Sequence, residues 1–150
     1  MAHSAADLIV KLLLVDTNIV SYFHRGDTRA KRYEPHLIGK QLFVSFMTVA
    51  ELYKWPLERN WSEQSKQALV QFLRNYVVLP YDDALAWKWA ELVSQTRRRR
   101  PISFPDSWIA ATALRHGMPL VTHNAQHFED IPGLKIITEP DPSQTHSAKP

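Results

Sequence analysis

The 150-residue chain contains no cysteine. That removes disulfide frameworks, thiolate nucleophiles and cysteine-bound zinc, and it suits a reducing cytoplasm, the compartment we expect. Glycine is almost as scarce, with only Gly26, Gly39, Gly117 and Gly133. None of them lies in a loop that could cradle phosphates with backbone amides, so a phosphate-loop nucleotide hydrolase is excluded. No apolar run approaches the ~20 residues that span a bilayer as a helix. LIVKLLLV near the N-terminus could be mistaken for a signal-peptide core. Lys11 interrupts it, Asp16 closes it and no small-residue cleavage site follows, so it reads as a strand.

What is present is the composition of an ordinary globular domain, 45% hydrophobic and 22% charged, in a chain long enough to bury its own core. The net charge of +3 permits a polyanionic partner without demanding one. The pattern alternates short apolar runs with longer amphipathic ones. LLLV (12–15) ends abruptly at Asp16, Thr17 and Asn18, and helical spacing resumes through Ile19, Val20, Tyr22 and Phe23. Gly26 and Asp27 make a turn, a helix carries Ala30, Tyr33 and Leu37 around Pro35, and Gly39 stops it. LFVS (42–45) is a second strand, and Ser45 begins a helix through FMTVAELYKW, with Pro56 near its far end or kinking it.

Trp61 and Ser62 open a helix with one apolar stripe of Ala68, Leu69, Phe72 and Leu73. VVLP (77–80) is a third strand, followed from Asp82 by a helix carrying Leu85, Trp89, Leu92 and Val93. After four arginines, Arg97 to Arg100, Ser103 caps a helix that Gly117 closes. PLVT (119–122) and LKIIT (134–138) are the last strands, with a short turn around 125–128 between them. Such alternation predicts an α/β fold with a mainly parallel sheet of about five short strands flanked by helices. Because helices outnumber strands, two or three of them are expected to form a hairpin-like clip over one edge. We expect a loose N-terminal extension over 1–8, one domain over 9–138 and a disordered polar tail over 139–150.

In open α/β sheets the carboxyl ends of the strands are where ligands bind. Asp16 is delivered to that place, although it or Thr17 could simply cap the following helix. Glu51 lies about a turn and a half into the helix after LFVS, either on its solvated stripe or aimed at the strand ends. Asp106 has a capping-box spacing to Ser103, and its helix is packed with alanines (Ala110, Ala111, Ala113) that let it dock closely on the sheet. PLVT ends in His123 and Asn124, which repeats the pattern of the first strand. Acids meeting at one edge would repel one another unless neutralised, and a hard divalent cation with oxygen ligands does that.

LLLVDTNIV, TVAEL, RRPISFPDSWIAATALRHGMPLVTHN and HFEDIPGL, in this order, resemble the PIN-domain ribonucleases and, more narrowly, the VapC-like toxins of toxin–antitoxin pairs. The likeness covers the chain from about Leu12 to Ile137. It implies a PIN-like three-layer sandwich and a metal-dependent endoribonuclease that is dimeric and blocked by a cognate antitoxin, alone or in a higher toxin–antitoxin assembly. By position it implies that Asp16, Glu51 and Asp106 form an acidic triad for Mg²⁺ or Mn²⁺, with Thr17 in support. A fourth acid is frequent just after the fourth strand in such proteins. Here Asn124 stands in its place, a neutral ligand that puts a second tightly held metal in doubt. The reaction implied is in-line attack of water on phosphorus, leaving a 5′-phosphate and a 3′-hydroxyl.

Arg97, Arg98, Arg99 and Arg100 are candidate RNA-phosphate contacts, with a solvated helix end as the alternative. The tryptophans read as core except Trp55 and Trp61, which lie near loops and could reach a partner or a base. His123 and His127 are four apart but lack further ligands for zinc. Two rival readings fit the sequence less well. A haloacid-dehalogenase-like phosphatase wants a second Asp two residues after the first, where this chain has Asn18. A PIN-like scaffold that binds RNA or protein without cutting would have little need of all three acids.

Overall fold

Five short strands, all parallel, form one sheet in the order β3-β2-β1-β4-β5. The computed structural model describes residues 11–96 and 101–141; the expected N-terminal extension, the arginine run at 97–100 and the chain from 142 onward lie outside the described residues. The strands are β1 (Leu12–Val15), β2 (Gln41–Ser45), β3 (Val77–Leu79), β4 (Leu120–Val121) and β5 (Ile136–Ile137). The helices are α1 (Thr17–Arg25), α2 (Ala30–Leu37), α3 (Phe46–Glu58), α4 (Glu63–Phe72), α5 (Asp83–Thr96) and α6 (Phe104–His116). Parallel strands require crossovers, and the helices supply them.

Because strand side chains alternate between faces, β1 feeds two cores. Leu13 and Val15 join Ile19, Val20, Tyr33, Val44, Leu52 and Leu69 on one side. Leu14 joins Leu85, Leu92, Ile109, Ala110, Leu120 and Phe128 on the other. The result is a three-layer sandwich with α1, α2 and α4 on one face and α5 and α6 on the other. Helix α3 reaches both cores, through Val49, Leu52 and Trp55 to the first and through Phe46 and Met47 to the second. Of the two helices between β2 and β3, α3 is shared between the cores and α4 packs on the first through Leu69.

Local chemistry sets the boundaries. Ser45, Ser62 and Ser103 each accept a backbone N–H three residues on, from Thr48, Ser65 and Asp106 respectively, which satisfies an orphan donor of the first helical turn. Gly26 and Gly117 end α1 and α6 with φ of 67° and 64°, the left-handed geometry that glycine adopts without a Cβ clash. Pro56 is carried inside α3 and buried, and the helix continues to Glu58. Strands β4 and β5 are shorter than the apolar runs that announced them, with two residues each.

The chain from 139 to 141, which the sequence assigns to the tail, is held against α2. His36 Nε2 lies 2.7 Å from Glu139 Oε1, and Arg32 donates to Pro140 O and to Asp141 Oδ1 at 3.0 and 2.8 Å. The Tyr33 hydroxyl accepts from Glu139 N at 3.2 Å and meets His123 Nδ1 at 2.5 Å.

Helix α6 runs through the second core with Ile109, Ala110 and Ala111 all at 0% exposure. At such a site extra methylenes cannot be absorbed without moving the sheet or α5. Ala110→Leu is expected to lower unfolding stability by ~1–3 kcal/mol, read from the urea midpoint. An unchanged midpoint would show that α6 can withdraw from the sheet at little cost.

Candidate active site

The strand order places a topological switch point at β1. From β1 the chain steps outward to β2 and β3, then returns to lay β4 and β5 on the other side. At such a point the crossovers leave in opposite directions and a crevice opens at the carboxyl ends of the strands. Asp16 is the first residue beyond β1, and Thr122 the first beyond β4. The Asp16 N–H donates to Val121 O at 2.9 Å, tying the two strand ends together.

Asp16 is 3% exposed, and both of its carboxylate oxygens are engaged. Thr17 N donates to Oδ1 at 2.8 Å and the Thr122 hydroxyl donates to Oδ2 at 2.6 Å. So Asp16 does cap α1, and that role coexists with its position in the crevice. Glu51, half-buried on α3, is turned to the strand ends and not to solvent: the Thr17 hydroxyl donates to its Oε1 at 2.7 Å. Thr48, one turn earlier on α3, lies 3.0 Å from the same hydroxyl. Thr17 thus bridges α1 and α3 and sets the spacing of Asp16 and Glu51.

Asp106 arrives from the start of α6. An aromatic clamp fixes this helix end: Trp108 stacks on Trp89 of α5 with centroids 4.9 Å apart, and Phe46 meets Trp108 edge-on. The Trp89 indole N–H donates to Ser107 Oγ at 2.9 Å, next to Asp106. Asp106 Oδ2 lies 3.1 Å from His127 Nδ1.

The charges of Glu51 and Asp106 both reach Asp16. Burial, above all, pushes the Asp16 carboxyl up to about 6, helped by the charges of Asp106 and Glu51 and opposed by the Thr122 and Thr17 hydrogen bonds. Glu51 is also raised, first by burial and then by Asp106, against the Thr17 hydrogen bond and Lys54. Asp16 therefore sits desolvated within reach of two like charges, and among the described residues no cation offsets it, an arrangement that favours an added positive ion. Among the described residues no three His, Asp or Glu side chains stand close enough to form a closed ion cage. This donor set fits an ion that uses one or two carboxylates and fills its remaining positions with water and substrate phosphate, the habit of Mg²⁺.

Asn124 lies just beyond β4, and its backbone N–H donates to the Thr122 hydroxyl at 3.0 Å. Its side chain makes no cap hydrogen bond to the short 3-10 turn Ala125–His127. The two histidines do not converge. His123 is wedged edge-on between Tyr22 and Tyr33, whereas His127 faces Asp106. Trp55 and Trp61 pack on the first core, and the tryptophan that projects into solvent is Trp87, at 68% exposure. The helical period explains the error, because Trp87 is two residues from the buried-side Trp89 and so faces away from it. Residues overlooked in the sequence are Thr48 and Thr122, while His127, weighed there only as a zinc ligand, instead faces Asp106. Thr122 was legible in principle, since it ends its strand as Asp16 does.

A buried Asp16 with two half-buried carboxylates at the switch point of a small parallel sheet defines a PIN-like nuclease architecture. The PIN domain model matches residues 13–134. Ribonuclease VapC1 of Haemophilus influenzae (strain R2866) is 32% identical over 129 residues, covering 83% of this chain and 95% of the relative. Among solved structures, VapBC-1 from nontypeable Haemophilus influenzae superposes with a TM-score of 0.73 at 29% identity, covering 85% of this chain and 97% of that one. VapBC2 from Rickettsia felis, bound to a promoter DNA fragment, gives a TM-score of 0.76 at 22% identity with 85% and 98% covered. The chain belongs to the PIN-domain family, and within it to the VapC ribonucleases.

The raised Asp16 makes a signed prediction for the metal-free protein. An acid whose folded value (about 6) exceeds its unfolded value (3.8) carries no penalty while protonated and costs stability once ionised. In EDTA, Asp16→Asn should therefore melt several degrees higher than wild type at pH 8. The advantage should shrink as pH falls through 6 and vanish below about 4. A variant that melts lower than wild type at pH 8 would mean the two hydrogen bonds outweigh the buried charge.

Proposed function

We propose that this chain is a metal-dependent endoribonuclease, the toxin of a toxin–antitoxin pair, acting on RNA phosphodiesters to inhibit translation. The single observation that carries this reading is the buried Asp16 at the switch point, facing the charges of Glu51 and Asp106. Asp16, Glu51 and Asp106 would hold Mg²⁺, with Mn²⁺ as the alternative ion. A divalent ion there would neutralise the carboxylates, polarise the phosphodiester and lower the pKa of a water. The partners are the RNA substrate, a cognate antitoxin and a second copy of the chain. Support for an antitoxin comes from the solved VapBC complexes, which belong to a family of toxin–antitoxin systems.

The protein's own residues do the positioning. Thr122 and Thr17 N lock the Asp16 carboxylate in one rotamer, so the acid loses no side-chain entropy when its charge is used. The Thr17 hydroxyl holds Glu51 at the same edge and lies close enough to steer a water in the crevice. His127 restrains Asp106 from the far side. The arginines at 97–100 belong to this reading as RNA-phosphate contacts that guide the strand. Attack on phosphorus in line with the leaving oxygen gives a 5′-phosphate and a 3′-hydroxyl.

Asp106→Asn keeps the helix start intact, since the Ser103 cap uses the backbone N–H of residue 106 and not its side chain. Cleavage of total tRNA with Mg²⁺ is expected to fall at least ~100-fold in this variant, with an unchanged circular dichroism melt, and to be lost in wild type on EDTA addition. Cleavage near wild type in the variant would remove Asp106 from the site.

Asn124 offers an uncharged amide where an acid would add to the ion's hold. Asn124→Asp is expected to bind Mn²⁺ more tightly in calorimetric titration at fixed pH and ionic strength. Equal affinity and stoichiometry in the two proteins would confine Asn124 to shaping the turn after β4.

A further inference from the structure

Beside Asp106 lies a cavity of about 270 Å³ that extends past the reacting centre to residues the reaction chemistry does not use. Its apolar walls come from Pro101, Ile102 and Ile131, and its polar lining includes Ser103, Gln126, His127 and Asp130. Asp106 itself forms part of the wall, so an occupant lies next to the reacting centre. The volume is below the roughly 300 Å³ at which pockets for drug-sized ligands begin. It suits a single nucleobase with part of its ribose.

The lining decides what can enter. Among the described residues no lysine or arginine faces the cavity, and two carboxylates do. The Asp130 carboxylate and the Gln126 amide, set between apolar walls, suit an occupant that presents N–H donors beside an acceptor. Single-stranded RNA supplies such a group when a base is splayed out, stacked on side chains and read along its edges. Thr96 and Pro101, which flank the arginines at 97–100 in sequence, both line the cavity.

We propose that this cavity receives the nucleobase adjoining the scissile phosphate and that Asp130 selects guanine there. Among the four bases, only guanine offers two adjacent donors on its Watson–Crick edge, N1–H and the N2 amine, which match the two oxygens of a carboxylate. Adenine and cytosine present one donor beside an acceptor, and uracil one donor between two acceptors. The Asp130 carboxylate has no hydrogen bond or ion pair among the described residues, and neither does the Gln126 amide, which can supply the donor that the guanine O6 requires. The inference rests on the endoribonuclease reading, but it can fail separately.

Two measurements on the full-length protein separate the outcomes. In the first, wild type, Asp130→Asn and Gln126→Ala each digest a single-stranded RNA library with a randomised central segment in Mg²⁺, and the cut ends are sequenced. Guanine should be enriched about tenfold at one position flanking the wild-type cut. Asp130→Asn should reduce that enrichment below about twofold at that position alone. Enrichment that survives in Asp130→Asn, or that is absent in wild type, overturns the proposal.

In the second, fluorescently labelled uridine octamers with or without one central guanosine or adenosine are titrated in EDTA, where nothing is cut, and followed by anisotropy. Tighter binding of the guanosine octamer by wild type, lost in Asp130→Asn, supports the cavity assignment even if no cleavage is seen. Equal binding of all three octamers by wild type overturns it even if the enzyme is active.

Discussion

The hydrogen bond from the Thr122 hydroxyl to Asp16 Oδ2, 2.6 Å long and closed to solvent, is the contact on which the site depends. It joins the ends of β1 and β4, the two strands on either side of the switch point, and it holds a carboxylate in a place from which water has been removed. Without that donor the burial of Asp16 would be uncompensated on one oxygen. With it, the acid is fixed in position while its charge remains unsatisfied, the condition a cation exploits. The two cores serve this arrangement. Leu14 and Leu120 at 0% exposure pack the second core beneath the strand ends, and Val15 and Val121 do the same for the first.

Much of this was legible in the sequence because each element announces itself with local chemistry. Serines stand before α3, α4 and α6, glycines follow α1 and α6, and apolar runs mark all five strands. The acids were also legible as candidates, because Asp16 follows a strand end, Asp106 lies in a first helical turn and Glu51 sits a turn and a half into α3. What the sequence could not decide was which way Glu51 points. That is settled by Thr17, 34 positions away, whose hydroxyl bonds Glu51 across the gap between α1 and α3. Nor could it show that α3 serves both cores, because a helix that buries two faces has no single apolar stripe to read. Trp87 misled for a related reason. Composition favours burying tryptophan, and only the packing of Trp89 against Trp108 reveals which of the two neighbours faces out.

The polar groups around the crevice divide by what they do to charge. Thr17 and Thr122 donate to carboxylates and favour their ionised forms, while burial opposes them, and at Asp16 burial wins. Away from the crevice the balance reverses. Arg29 beside Asp27, and Arg115 beside Asp82, hold those carboxyls below the usual range through direct hydrogen bonds in solvent-exposed settings. These peripheral acids are thus paired with arginine, whereas among the described residues no cation pairs with Asp16. That asymmetry, more than the presence of acidic residues, marks the crevice as functional.

The pairing of β1 with β4 also has a consequence for how the molecule comes into being. Asp16 and Thr122 are 106 positions apart, and the strand between β1 and β5 in the sheet is supplied only after α6 has been made. Contacts across so long a stretch of chain are among the last to close in folding, because their loop entropy must be offset by everything formed before them. A chain still on the ribosome with β4 inside the exit tunnel has Asp16 but no partner for it, and no Asp106 docked against a completed sheet. By its strand order, the crevice of this protein is assembled only once β4 has joined β1.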